Sequence, residues 1–330
     1  MRRQDIVGMA CLVVCALIWG FAFVAQVQGM DAVTPLFFNA TRFTLGALSL
    51  LPVLLMLHRR RRTDGRTAAH DGIDGVEGVD TVSRTILASP VVVGMICGVV
   101  LFTASTLQQY GILYGKSAGR AGFITALYIV IVPLLAFVFL RRRIGILVVI
   151  AVMLAVIGFY LLCVTDGFGS LGLADLLLLF TAVLFATHIL VIDELGSHVD
   201  AIMLSFVQFS TTAVLSWIGS AIEGSIDWSG AVAAWPPIVY AGIGSVGIAY
   251  TLQAIGQQWV PPTRASLLMS LESFFSVVGG AIFLGEVMTP RGYLGCALIF
   301  AGTLLAQAPA RVPKRLSSSS SASPRPEARR

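Results

Sequence analysis

Three ionisable side chains stand inside long apolar runs of this 330-residue chain. They are Arg42 in FFNATRFTLGALSLLP, His188 in THILVIDE and Glu272 in SLESFFSVVGGAIFLGE. A charge in hydrocarbon is expensive unless it is paired or wetted, so such residues mark ligand sites, ion paths or proton relays. Glu272 is the sharpest case. Thirteen uncharged residues separate it from Glu286, and no residue three or four positions away on its own helix neutralises it. A carboxylate is tolerated there if it faces a cavity that is wet in at least one state. In the closed state a neutral, protonated carboxyl is far cheaper to bury. Exposed alternately to two sides of a membrane, that group would carry a proton. Arg42 is suited to a carboxylate ligand, or to backbone carbonyls that it holds in place. His188 stands some four residues from the end of its run, where an interfacial structural role competes with a coupling role.

Helical spacing gives these charges polar company. Asn39, Arg42, Gly46 and Ser49 recur every three or four residues, and Ser205, Gln208, Thr212 and Ser216 repeat the pattern on another run. Ser105, Gln108 and Gln109 mark a third run, Tyr250 and Gln253 a fourth. Trp19, Phe23 and Gln26 share a face, as do Thr125 and Tyr128. The expected cavity residues are Trp19, Phe23, Gln26, Asn39, Arg42, Gln108, Gln109, Tyr128, Gln208, Tyr250 and Gln253, with Glu272, Arg42 and His188 as the coupling groups. Any single Ser, Thr, Gly or Gln of these stripes can instead serve helix packing alone.

The elements that must position them follow from composition. The chain is 57% hydrophobic and 12% charged, against roughly 45–50% and 25% for a soluble domain. The excess comes as ten runs near the ~20 residues a helix needs to cross a bilayer: 6–25, 35–57, 90–112, 121–140, 144–164, 171–192, 201–222, 236–257, 265–285 and 292–308. The expected fold class is an all-α polytopic membrane protein with ten transmembrane helices. The longest polar stretches, about 58–88 and 309–330, have the Gly, Asp, Ser, Pro and Arg content of disorder. With the N-terminus inside, 18 of the 22 Lys and Arg residues fall on the cytoplasmic side. Lys116, Arg120 and Arg291 fall outside, and Arg42 within a span. That bias places both termini in the cytoplasm. It also accounts for the net charge of +5 by the lipid surface, with no nucleic-acid partner. On these depths Arg42 and Glu272 each lie about seven residues, roughly 10 Å, from opposite faces. In a core of about 30 Å they would be separated vertically by roughly 10 Å.

The N-terminal apolar region is longer than the h-region of a signal peptide and lacks an A-x-A site, so it reads as an uncleaved first span. Cys11, Cys15, Cys97, Cys163 and Cys296 all fall within spans without ligand spacing and read as small apolar packing residues. There is no metal-ligand spacing, nucleophile elbow or phosphate-cradling loop, so no cofactor and no catalysis are expected.

The chain also repeats itself. Thr106-Leu-Gln matches Thr251-Leu-Gln, and Gly111 matches Gly256. After one gap Arg120 matches Arg264, Ala126-Leu127 matches Ser270-Leu271, and Gly158 matches Gly302. Trp19 pairs with Phe185, Ala22 with His188, and Arg42-Phe43 with Gln208-Phe209. Residues 1–164 and 165–308 thus read as two copies of a five-span unit, followed by a tail, 309–330. Five is odd, so the second copy must enter from the opposite face. Inverted repeats of this kind typify secondary transporters that hold substrate at mid-membrane.

WGFAFVAQVQGM, FFNATRFTLGALSLLP, STLQQYGILYGKSAGRAGFITALYIVIVPLL, THILVIDE and PTRASLLMSLESFFSVVGGAIFLGE resemble the EamA-type transporters of the drug/metabolite transporter superfamily, over residues 7 to 307. Two departures stand out. Family members usually carry Pro after the ninth-span glutamate, where this chain has Ser273. The Gly285-Glu286 ending is Arg141-Arg142 in the first copy. The resemblance implies a secondary transporter, by preference an exporter in a bacterial inner membrane, acting on a small-molecule substrate with protons as the candidate coupling ion. Trp19, Phe23 and Tyr250 suit an apolar or aromatic moiety and Arg42 a carboxylate, as in an amino acid or related metabolite. A hydrophobic cation held by Glu272 is the alternative cargo. A lipid-modifying membrane enzyme, for which IDELGSHVD (192–200) offers the acidic cluster, is the alternative of another class. Oligomeric state is left open.

Overall fold

The computed structural model describes residues 3–65, 89–141, 144–163, 171–195, 199–260 and 268–306. The expected loop beyond Gly65 and the tail 309–330 lie outside the described residues. Every regular element among those described is helical. Seven helical segments are long and apolar enough to cross a membrane, between Gln4 and Glu223, one of them the kinked run Ala118–Leu140, so the chain is a multi-pass membrane protein. Shorter apolar helices follow at Leu271–Leu284 and Pro290–Ala306.

The first three helices are α1 (Arg3–Gly29), α2 (Pro35–Gly65) and α3 (Pro90–Gly115). The second continues past the apolar run ending near 57 and takes in Arg59 to Arg62. The expected fourth run is not one helix. It is α4 (Ala118–Thr125) and α5 (Tyr128–Leu140), parted at Ala126-Leu127. Both linking residues have ψ near the bridge region, −11° and −19°. The local bonds tighten to i→i−3: Leu127 N–H donates to Ile124 O at 3.2 Å and Ile129 N–H to Ala126 O at 3.1 Å. Then come α6 (Ile146–Cys163), α7 (Leu173–Leu195) and α8 (Ala201–Glu223).

The run 236–257 is also broken. Short α9 (Trp228–Ala233) and α10 (Trp235–Val239) lead into a π-helical segment, Tyr240–Ala249, and then α11 (Tyr250–Trp259). The ninth run ends in α12 (Leu271–Leu284), which starts after a kink at Ser270 with ψ −14° and an i→i−3 bond from Ser273 N–H at 3.3 Å. The aligned positions Ala126-Leu127 and Ser270-Leu271 therefore both lie at helix breaks. No proline is needed, because short backbone turns do the same work beside Ser273. The last helix is α13 (Pro290–Ala306).

Glycines set how closely these helices approach. A Cβ on Gly242 would lie 2.9 Å from Arg42 O, and one on Gly46 2.2 Å from Val246 Cγ1, so α2 sits directly against the π-helical segment. α6 and α13 pack mainly on each other. A Cβ on Gly158 would stand 2.6 Å from Gly295 O, and one on Gly295 2.6 Å from Gly158 O. Backbone cannot yield as a side chain can. Gly158→Leu is expected to destabilise the protein by about 1–3 kcal/mol or more through overpacking, read as a lower midpoint of thermal unfolding in detergent. Gly145→Ala, with nothing within 4 Å of the new Cβ, should leave the midpoint unchanged.

Candidate functional site

A cavity of about 380 Å³ lies between α1, α2, α3, α4, α5, α7, the π-helical segment, α11 and the start of α12. Aromatic rings form much of its wall. Trp19 meets Tyr250 edge to face at 5.0 Å between centroids, and Tyr250 leans on Phe209 at 5.1 Å. Trp19 is fixed at its polar end, where Nε1–H donates to Ser245 O at 3.1 Å. That carbonyl belongs to the π-helical segment, whose wider winding changes the helix's i→i−4 pairing.

Arg42 is 6% exposed. Its guanidinium carbon lies 4.9 Å from the centre of the Phe43 ring and 5.6 Å from that of Phe38, within cation–π range. Its Nε has no hydrogen-bond partner among the described residues. Glu272, 7% exposed, sits in the first turn of α12 and accepts a hydrogen bond from Tyr128 Oη at 3.2 Å. Tyr128 opens α5. The two partners occupy aligned positions, each just after its helix break. Both Arg42 and Glu272 line the one cavity. No ion pair joins them among the described residues, where Arg120 pairs with Asp175 instead.

Gln108 also lines the cavity and donates from Nε2 to Thr125 Oγ1 at 3.4 Å. Phe23, Gln26, His188 and Gln253 complete the expected residues that reach the wall. Three do not. Gln208 is 2% exposed and shares a 2.9 Å hydrogen bond with His188 Nε2, so it stands behind His188. Gln109, fully buried, donates to Gln26 O at 3.2 Å. Asn39 is fully buried one turn from Arg42, with both amide atoms unpartnered among the described residues. Polar spacing placed these three on the right helices without separating a cavity face from a packing face.

Sequence reasoning passed over Phe43, Phe185, Ser245, Ile192 and Met269, all on the wall. Phe185 had a signal, its alignment with Trp19. Ser245 contributes through its backbone carbonyl, which side-chain type does not reveal.

The cavity runs from Gln26, three residues before the end of α1, to Ile192, three before the end of α7, and Met269 beside the kink. Toward the Gln26 end two sets of polar contacts tie α4 to its neighbours. Glu286 accepts from Ala118 N–H at 2.5 Å, Gly119 N–H at 3.2 Å and Ser117 Oγ at 2.8 Å. Arg120 makes a two-pronged bond to Asp175, 2.6 Å from Nε and 2.5 Å from Nη2. A second, smaller cavity of about 250 Å³ lies beside that pair.

The sequence pattern of the EamA-like transporter family matches residues 6–164 and again 172–307. The chain belongs to this family. An uncharacterized transporter from Archaeoglobus fulgidus is 26% identical to this EamA-like transporter over 294 residues, 89% of this chain and 83% of that protein. A solved crystal structure, 21% identical in sequence, superposes with a TM-score of 0.59 over 91% of this chain and 96% of its own, and shares the fold. The EamA-like cavity therefore belongs to a multi-pass transporter.

Proposed function

We propose that this EamA-like transporter is a secondary active exporter of a small organic metabolite that bears a carboxylate and an apolar or aromatic group, such as an amino acid. One observation carries the reading: Arg42 and Glu272 line the same aromatic-walled cavity without pairing to each other. A buried guanidinium whose Nε lacks a partner is best satisfied by an anionic ligand group, and the rings would cover the rest of that ligand. Substrate enters by alternating access, with Glu272 as the proton-coupling group.

The architecture behind this reading is ten spans in two inverted units, residues 1–164 and 165–308. The seven long helices would be joined by the broken helix from Trp235 to Trp259, the segment ending in α12, and α13. The bond between the aligned residues Tyr128 and Glu272 supports it, since equivalent positions meet only near a two-fold axis. Lys and Arg placement favours both termini in the cytoplasm of a bacterial cell, with the protein in its inner membrane. The enzyme alternative gains nothing from residues 192–200. Asp200 is occupied as the N-cap of α8, accepting from Ile202 N–H and Met203 N–H, both at 3.1 Å, and 196–198 lie outside the described residues.

Aromatic walls with a carboxylate also suit a hydrophobic cation, which is the second reading. Counterflow in proteoliposomes separates the two. Saturable exchange of amino acids or related carboxylates, with none for lipophilic cations, is the expected result. Exchange of cations alone would replace the first reading with the second.

A further inference from the structure

We propose that Glu286 and the Arg120–Asp175 pair are the gate on the Gln26 side of the cavity, positioning residues that hold α4 in place while the opposite side is open; the proposal rests on the alternating-access reading above. α4 is the element to watch. It is eight residues long and is cut from α5 by the turn at Ala126-Leu127, so it can tilt without dragging the rest of its span. Seven of its eight residues are buried, and Thr125, its last, lines the cavity.

Two attachments fix its free end. Glu286, carried just beyond α12, takes Ala118 N–H and Gly119 N–H, two of the unpaired donors at the first turn of α4, together with the Ser117 hydroxyl. A carboxylate at that position also meets the positive end of the helix dipole. In the same first turn, Arg120 reaches the other way, to the buried Asp175 on α7. α4 is thereby tied to elements of the second half of the chain on both sides. Between those ties it is smooth: a Cβ on Gly122 would fall 2.1 Å from Ser276 Oγ, and one on Gly119 2.6 Å from Met288 Cε. Charge-assisted bonds over a glycine surface hold firmly when made and leave little interlocking when broken.

The sequence gives the clamp to one copy. Gly285 ends α12 in the left-handed region at φ 64°, and Glu286 follows. In the first copy Arg141 ends α5 the same way at φ 53°, and Arg142 follows. A guanidinium has no hydrogen-bond acceptor, so the residue type at Arg142 cannot take the acceptor role that Glu286 fills. The cavity lining extends toward the other face, to Ile192 and Met269. The clamp is thus what sets which side is closed at rest.

The test reads accessibility and needs no substrate. With the five native cysteines replaced and stability verified, Thr125→Cys is alkylated by a membrane-impermeant maleimide in sealed vesicles of either orientation. Glu286→Gln keeps the shape but loses one acceptor oxygen, and Asp175→Asn removes the charge paired to Arg120. Each is expected to raise labelling from the Ser117 face by about tenfold, the shift that follows when one state loses a charge-assisted hydrogen bond. Labelling from the Ile192 face should fall. Equal labelling in variants and parent would overturn the gate. So would a rise from both faces, which is the mark of a loosened bundle. If Glu286→Gln does not fold, Asp175→Asn alone decides. A protein that labels as expected but moves no metabolite keeps its gate and loses the proposed function.

Discussion

Glu272→Gln is expected to abolish substrate accumulation driven by an imposed pH gradient while leaving exchange between equal pH compartments largely intact. The substitution is nearly isosteric, and a glutamine Oε1 can still accept from Tyr128 Oη at the 3.2 Å seen for the carboxylate. The contact between the two halves is kept. What is lost is the ability to take up and release a proton. A carboxylate in a closing cavity must be neutralised or paired to be buried cheaply, and Arg42 does not pair with it among the described residues. On the proposed coupling role, protonation is the route by which the cavity closes, and the glutamine is already neutral. In vesicles with an acidic lumen, proton exit should draw substrate inward in the parent and not in the variant. Equal accumulation in both would sink the proton-carrier role and leave Glu272 as a structural or substrate-binding residue.

Arg42→Ala should remove substrate recognition itself. A charge-assisted hydrogen bond contributes about 1.5–3 kcal/mol, so loss of the guanidinium should weaken half-saturation in counterflow by roughly ten- to a hundredfold. Arg42→Lys should recover only part of this, because an ammonium keeps the charge but lacks the planar fork that grips a carboxylate. The aromatic setting sharpens the difference. The guanidinium lies 4.9 Å from the Phe43 ring centre, a stacking that a lysine cannot reproduce in the same plane. If Arg42→Ala exchanges carboxylates as the parent does, the residue serves helix packing and the anion-binding reading fails.

Much of this is legible in the amino-acid sequence. Apolar run length found the long helices, since a bilayer imposes one length on every span. Helical spacing brought Trp19, Phe23, Gln26, Arg42 and Glu272 to one cavity. Where reading by period failed, local backbone was the reason. The run 121–140 conceals a break that needs no proline, because two residues with ψ near −15° suffice and alanine and leucine both adopt that conformation. The π-helical segment changes the number of residues per turn, so side-chain period cannot predict which carbonyl Trp19 will find. Gln208 and Gln109 were misplaced for a different cause. An amide within a membrane helix seeks any partner, and these two found His188 and the Gln26 carbonyl.

The bond between Tyr128 and Glu272 has a consequence for how such a chain can have come about. A contact between equivalent positions of two identical units brings like against like. Two ionised carboxylates would repel, and two phenols would offer no anionic acceptor. A phenol donor against a carboxylate acceptor requires the two units to differ at that point. A tyrosine on one side and a glutamate on the other are therefore a pairing that a symmetric assembly of identical subunits could not possess.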